Sequence, residues 1–168
     1  RSLPAELCEP IVAFNGKTST EAAAITDNYA VTHYQFAEQG KLPAIQKTLR
    51  RLGDAALQPL VILDADTVPL SPRRWVRHMT AALRPEEDMP ASAAGPVIFH
   101  GRDIPTVCAR TIRRSIQGLV SQDVRWYGPN MSIFLRDRAT LGAVLSLGHK
   151  WPGEDKAIAD TIIENGGR

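Results

Sequence analysis

Cysteine is scarce in this chain of 168 residues: Cys8 and Cys108 stand far apart, with no CxxC and no His-rich neighbourhood. A disulfide scaffold and a zinc ribbon are therefore disfavoured, and a reducing, cytoplasmic compartment is the easier reading. No apolar run approaches the roughly 18 residues that a membrane helix needs. Aromatics make up only 6% of residues, and 20 basic side chains nearly balance 18 acidic ones. A nucleic-acid binder gathers its charge into one stripe with aromatics between, and here the arginines fall on several segments, so nucleic acid is not an expected partner. The chain also lacks an initial Met and a signal-peptide pattern, and it reads as a fragment or a trimmed domain. What is present is ordinary: 43% apolar and 23% charged residues, enough for one globular domain with its own core.

Short apolar runs alternate with helical stretches. Residues 10–14 (PIVAF) predict a buried strand, and Ser19 and Thr20 predict an N-cap for the helix that follows, with Glu21 in its first turn. Residues 32–36 (THYQF) have strand composition. After Gly40, Leu42, Ile45, Leu49 and Leu52 form one helical stripe, with Pro43 tolerated in the first turn. Residues 59–63 (PLVIL) predict the clearest strand, central in its sheet. Ser71-Pro72 predicts N-cap and N1 of a helix that buries Trp75, Met79, Ala82 and Leu83 and exposes Arg73, Arg74, Arg77 and Arg84. A polar loop over 85–94, a strand over 96–99, a helix over 105–120, a strand or extended segment over 126–135 and helices near 137–147 and 153–165 complete the reading. The alternation predicts an α/β fold with a mainly parallel sheet flanked by helices. Ligands in such sheets sit beyond the carboxyl ends of the strands.

Four segments carry chemistry-bearing residues. In Leu63-Asp64-Ala65-Asp66-Thr67 a buried strand runs into D-x-D. Continued extended backbone points Asp64 and Asp66 the same way, and paired carboxylate oxygens suit Mg²⁺ or Mn²⁺. The ordinary alternative is one Asp in a turn and one in water. Gly153-Glu154-Asp155 opens a helix with Ile158 and Ile162 on its inner face; the plain reading of its carboxylates is first-turn dipole residues. Gly40-Lys41 precedes a helix, where Lys41 is either solvated or a phosphate contact beside free N–H groups. Tyr127-Gly128-Pro129-Asn130 is a turn whose amide suits a sugar pocket.

Taken in order, these segments resemble the family 2 glycosyltransferases, nucleotide-diphospho-sugar transferases of GT-A fold. The resemblance rests on QFAEQGKLPAIQKTLRRL, VILDADTVP, WYGPNMSIFLRDR and PGEDKAIADTIIENGGR, and IVAFNGKTSTEAAAI adds a strand and a Gly-Ser-Thr-like turn with Asn15 where an acidic residue is usual. It covers residues 10–168, and it implies that residues 1–168 form a single GT-A-like domain, incomplete at both ends. The family's opening strand has no counterpart before Pro10, and the final acceptor region is missing or minimal. The resemblance implies that Asp64 lies near the ribose and the cation, Asp66 ligates Mn²⁺ or Mg²⁺ directly, and Lys41 contacts the nucleotide or its diphosphate. It makes Asp155 the general base with Glu154 beside it, and Gly128 and Asn130 the lining of the sugar and acceptor pocket. The implied activity is metal-dependent, inverting sugar transfer from a nucleotide-diphosphate sugar to an acceptor hydroxyl on a glycan, lipid or small molecule, in the cytoplasm, with peripheral membrane association open. Arg136 and Arg138 are candidate phosphate neighbours.

Two rival readings use the same residues. Asp64-Ala65-Asp66-Thr67-Val68 fits the D-x-D-x-[TV] signature of haloacid-dehalogenase-like phosphatases, with Asp64 as nucleophile and Asp66 as acid/base. That signature usually lies on the first strand of its fold, whereas two strand–helix units precede it here. The other rival is a non-catalytic GT-A-like binding module.

Overall fold

The computed structural model describes residues 6–17, 19–29, 31–37, 40–65, 67–69, 71–81, 92–94, 130–148 and 153–166. The fold is mixed α/β. The first unit is β1 (Ile11–Asn15), α1 (Thr20–Asn28) and β2 (Thr32–Phe36), with β1 and β2 parallel and in register from Ile11 opposite Thr32 to Asn15 opposite Phe36. Ser19 caps α1 as its sequence predicts: its hydroxyl accepts from the Ala22 N–H at 3.1 Å.

The chain then enters α2 (Lys41–Leu52), which buries Leu42 and Leu49 and ends at Gly53 with φ 56°, a conformation that a side chain would strain. A 3₁₀ turn over Gly53–Leu57 buries Ala56 and leads into β3 (Leu60–Leu63). α3 (Pro72–Ala81) starts with Pro72 at its first position, and the Trp75 N–H bonds the Ser71 carbonyl at 2.8 Å. Its inner face differs in detail from the sequence expectation. Val76 and Met79 are buried, Trp75 is half-buried, and Arg73, Arg74 and Arg77 are exposed as expected. Ala82, Leu83 and Arg84 lie outside the described residues, as do the expected strand over 96–99 and helix over 105–120.

Two further strands, β4 (Ser92–Ala94) and β5 (Asn130–Ile133), and two helices, α4 (Arg138–Leu145) and α5 (Glu154–Glu164), complete the described elements. The expected polar loop over 85–94 is corrected at its end, because Ser92–Ala94 pair antiparallel with β5. β5 also pairs antiparallel with β3, from Leu60 opposite Ile133 to Leu63 opposite Asn130. The expectation of a mainly parallel sheet is corrected accordingly. Among the described strands, parallel pairing is confined to β1–β2, and the strand order β3-β5-β4 makes β3 an outer strand rather than a central one. Strand direction follows from how chain segments cross, which local apolar pattern does not encode.

One core joins these pieces. Leu42 and Leu49 of α2, Met131, Ile133 and Leu135 of β5 and its continuation, Leu141 and Val144 of α4, and Ile158 and Ile162 of α5 pack together. Ile158 and Ile162 are the inner face predicted for the last helix, and their burial anchors its N-terminus. Among the described residues no helix is long and apolar enough to cross a membrane.

Candidate functional site

Three of the sequence candidates meet. Lys41 is the first residue of α2, Asp64 follows the last residue of β3, and Asp155 sits in the first turn of α5. The Lys41 Nζ lies 2.8 Å from Asp64 Oδ1 and 2.9 Å from Asp155 Oδ1. One ammonium thus bridges two carboxylates from distant parts of the chain. The side chains are partly to mostly buried, with 27% of Lys41, 34% of Asp64 and 17% of Asp155 exposed, so water screens these charges less than it screens surface pairs.

Burial alone would lower the Lys41 pKa. Hydrogen bonding and charge attraction from Asp64 and Asp155 outweigh it, and the result stands above the ordinary lysine value of 10.5. Lys41 is therefore held as a cation. Asp155 Oδ1 lies beneath the surface, and the Lys41 ammonium at 2.9 Å is the partner that offsets its burial. Among the described residues, the ammonium pairs with Asp155 and not with Glu154, the half-buried residue before it.

Both helices begin here without a side-chain cap. Gly40 precedes α2 with φ 118° and Gly153 precedes α5 with φ 105°. Neither glycine can cover the orphan N–H groups of its first turn, so each helix presents uncapped donors and the positive end of its dipole near Lys41. The cluster of one ammonium and two carboxylates carries a net charge of about −1, partly offset by those two termini.

At Asp64 the chain takes the turn that the sequence reading left open beside the extended D-x-D. The backbone leaves β3 at Asp64, and the Thr67 N–H donates to the Asp64 carbonyl at 2.9 Å. That is a four-residue turn, so the strand alternation invoked to align Asp64 with Asp66 ends at Leu63. Asp66 and Gly128 lie outside the described residues, and Asn130 is placed by its backbone as the first residue of β5, opposite Leu63 at the same sheet edge as Asp64. Arg138 does not join the cluster: its Nη2 binds Asp54 at 2.8 and 3.0 Å in an exposed pair.

The donor set suits a hard divalent cation in chemistry, because two carboxylates already converge on one cationic nitrogen. Among the described residues no group of three or more Asp, Glu, His or Cys side chains forms a metal cluster.

Two supporting residues have no signal in the sequence. The Gln46 Nε2 of α2 points at the C-terminal end of α4, 3.0 Å from the Val144 carbonyl, 3.3 Å from that of Leu145 and 2.9 Å from that of Leu147. Arg50 adds a bond to the Leu145 carbonyl at 3.2 Å. These contacts engage carbonyls at and just beyond the end of α4 and tie α2, which carries Lys41, to that end. A Gln or Arg on a helix ordinarily reads as solvated, which is why the pattern passes over them.

No family model, no curated protein and no solved structure matches the chain.

Proposed function

We propose that the chain is a glycosyltransferase domain that binds a nucleotide-diphosphate sugar together with Mn²⁺ or Mg²⁺ and transfers the sugar, with inversion, to an acceptor hydroxyl. The observation that carries this reading is the meeting of Lys41, Asp64 and Asp155 at 2.8 and 2.9 Å. The sequence resemblance assigns these three residues, from three separate motifs, to one donor-binding and catalytic site. A finer GT-A assignment of the fold belongs to the same proposal.

Each part of the cluster answers a need of the reaction. The uncapped starts of α2 and α5, with the Lys41 ammonium between them, supply donors and positive charge for a diphosphate. The net negative charge of the side-chain cluster opposes a bare polyanion, which is why a divalent cation belongs in the reading. Asp64, with Asp66 as the resemblance implies, would hold it, and the cation supplies Lewis-acid stabilisation to the leaving diphosphate. Asp155, held in place by its pairing with Lys41, takes the proton of the attacking hydroxyl. A single base on the acceptor side implies one displacement and inverted configuration, by the geometric logic of carboxylate pairs in glycoside hydrolysis.

The test uses thermal shift and calorimetry with a panel of nucleoside diphosphates, with and without Mn²⁺. The expected result is a shift that requires both ligands. Asp155→Asn then keeps that binding and loses transfer by about 10²–10⁴-fold, while Glu154→Gln lowers it far less. Absence of any Mn²⁺-dependent nucleotide binding, or full transfer by Asp155→Asn, overturns the reading. Release of inorganic phosphate from phosphate monoesters would replace it with the phosphatase reading, in which Asp64 is the nucleophile.

A further inference from the structure

We propose that Lys41 is a resident counter-cation that competes with a divalent cation for Asp64, so that metal is held firmly only when a diphosphate arrives to take the ammonium. The proposal rests on the metal-dependent reading above and adds how loading of that site is controlled.

The Asp64 oxygen that would face a metal is already engaged, since Lys41 Nζ stands 2.8 Å from Oδ1, and the second oxygen within the ammonium's reach belongs to Asp155. A divalent cation entering at Asp64 alone has two options. It displaces the ammonium, or it binds with a like charge one contact away. Both penalise metal by itself, because like charges brought together in a partly buried site repel strongly.

The anchor of Lys41 is fixed while its head is not. Its backbone opens α2, and the next residue, Leu42, is buried in the core, so the helix start does not move freely. Four methylenes separate that backbone from the ammonium, enough for the head to swing while α2 stays in place. A destination exists as well. The uncapped N–H groups of α2 and α5 lie beside the cluster, and a diphosphate bound there presents oxygens to the ammonium as it leaves Asp64. The groups facing Lys41 are then Asp64, Asp155 and the two helix starts. Removing its charge strips the site of its internal competitor and leaves two carboxylates facing each other.

The probe is Mn²⁺ alone, titrated calorimetrically into the full chain and into Lys41→Met and Lys41→Arg. Lys41→Met is expected to bind Mn²⁺ at least ~10-fold more tightly than the parent, a change of about 1.4 kcal/mol. Lys41→Arg, which keeps the charge, should stay close to the parent. Equal Mn²⁺ affinity in the parent and Lys41→Met, or no Mn²⁺ binding by either, overturns the proposal. A second measurement needs no variant. With ¹⁵N-labelled lysine in the parent, saturating Mg²⁺ should move the Lys41 ammonium resonance as the head leaves its carboxylates, and an unchanged resonance overturns the proposal. The outcomes separate this inference from the reading beneath it. Mn²⁺-dependent nucleotide binding with unaltered metal affinity in Lys41→Met defeats only the competition. A gain in Mn²⁺ affinity without nucleotide binding defeats only the transferase.

Discussion

The unit formed by β1, α1 and β2 and the unit built around β5, α4 and α5 are held by different means. In the first, Thr26 and Phe36 are the buried side chains, β1 is half-buried or exposed along its length, and Ile25 of α1 and Tyr29 just beyond it leave 51% and 74% of their surface to solvent. In the second, Ile133, Leu135, Val144 and Ile158 are fully buried in one cluster. The first unit rests on local hydrogen bonds, such as the Ser19 cap, on the β1–β2 ladder, and on the packing of Arg51 over the Tyr34 and Phe36 rings. Regions with few buried apolar contacts open at lower free energy than a packed core. Of the elements that carry the ion cluster, α2 packs against both units, through Arg51 on the first and Leu42 and Leu49 in the core, and α5 packs into the core through Ile158 and Ile162.

The sharpest way to break this contrast is to cut equal kinds of side chain from each unit. Ile158→Ala should cost about 2–5 kcal/mol of unfolding free energy, because it opens a cavity in the cluster. Ile11→Ala, at a half-buried strand position, should cost under about 1.5 kcal/mol. Denaturant melts of both variants decide the point, and similar losses would erase the distinction. A smaller effect sharpens the boundary. Gln46→Leu removes the side chain that bonds three carbonyls at the end of α4, and it should cost about 1–3 kcal/mol, since those groups lose a partner. Hydrogen exchange should then accelerate at the C-terminal turn of α4 and leave β1 and β2 unchanged. The smallest effect is alkaline. Lys41 has a folded pKa raised above 10.5, so its contribution is fully present below that value and is lost as pH rises through the raised one. Melting temperature should therefore fall more steeply above about pH 10.5 in the parent than in Lys41→Met. Identical slopes would mean that the bridge contributes nothing to folding.

How much of this was legible in the sequence depends on whether a feature is local. Residues 32–36 form the expected strand, and Ser19 caps α1 through its own hydroxyl. Asp137 likewise opens α4: its carboxylate accepts from the Thr140 N–H, which holds its pKa below the ordinary 3.8. Caps, stripes and turns of this sort are set by residues within four positions of one another, so pattern reading reaches them. Ser92–Ala94 escaped because three small residues have no strand signature and pair only because β5 lies alongside. The turn closed by Thr67 stayed one of two readings because D-A-D-T is equally consistent with extended chain. For the site, the sequence singled out Lys41, Asp64 and Asp155 separately. Their sharing of one ammonium is a tertiary fact, set by how α2, β3 and α5 pack, and no spacing encodes it.

The bonds from Gln46 to the end of α4 join positions 98 to 101 residues apart, and Asp155 lies further still along the chain. Contacts of such long range close late, because the loop entropy must be met before they form. During synthesis at about 5–20 residues per second, α2 leaves the ribosome several seconds before the helices that complete its packing. Through that interval Lys41 and Asp64 are present without Asp155, and the apolar face of α2 waits for Val144, Ile158 and Ile162. Premature termination ahead of α5 would thus leave a nascent chain with an exposed apolar helix face and without Asp155, a species for chaperones to shield.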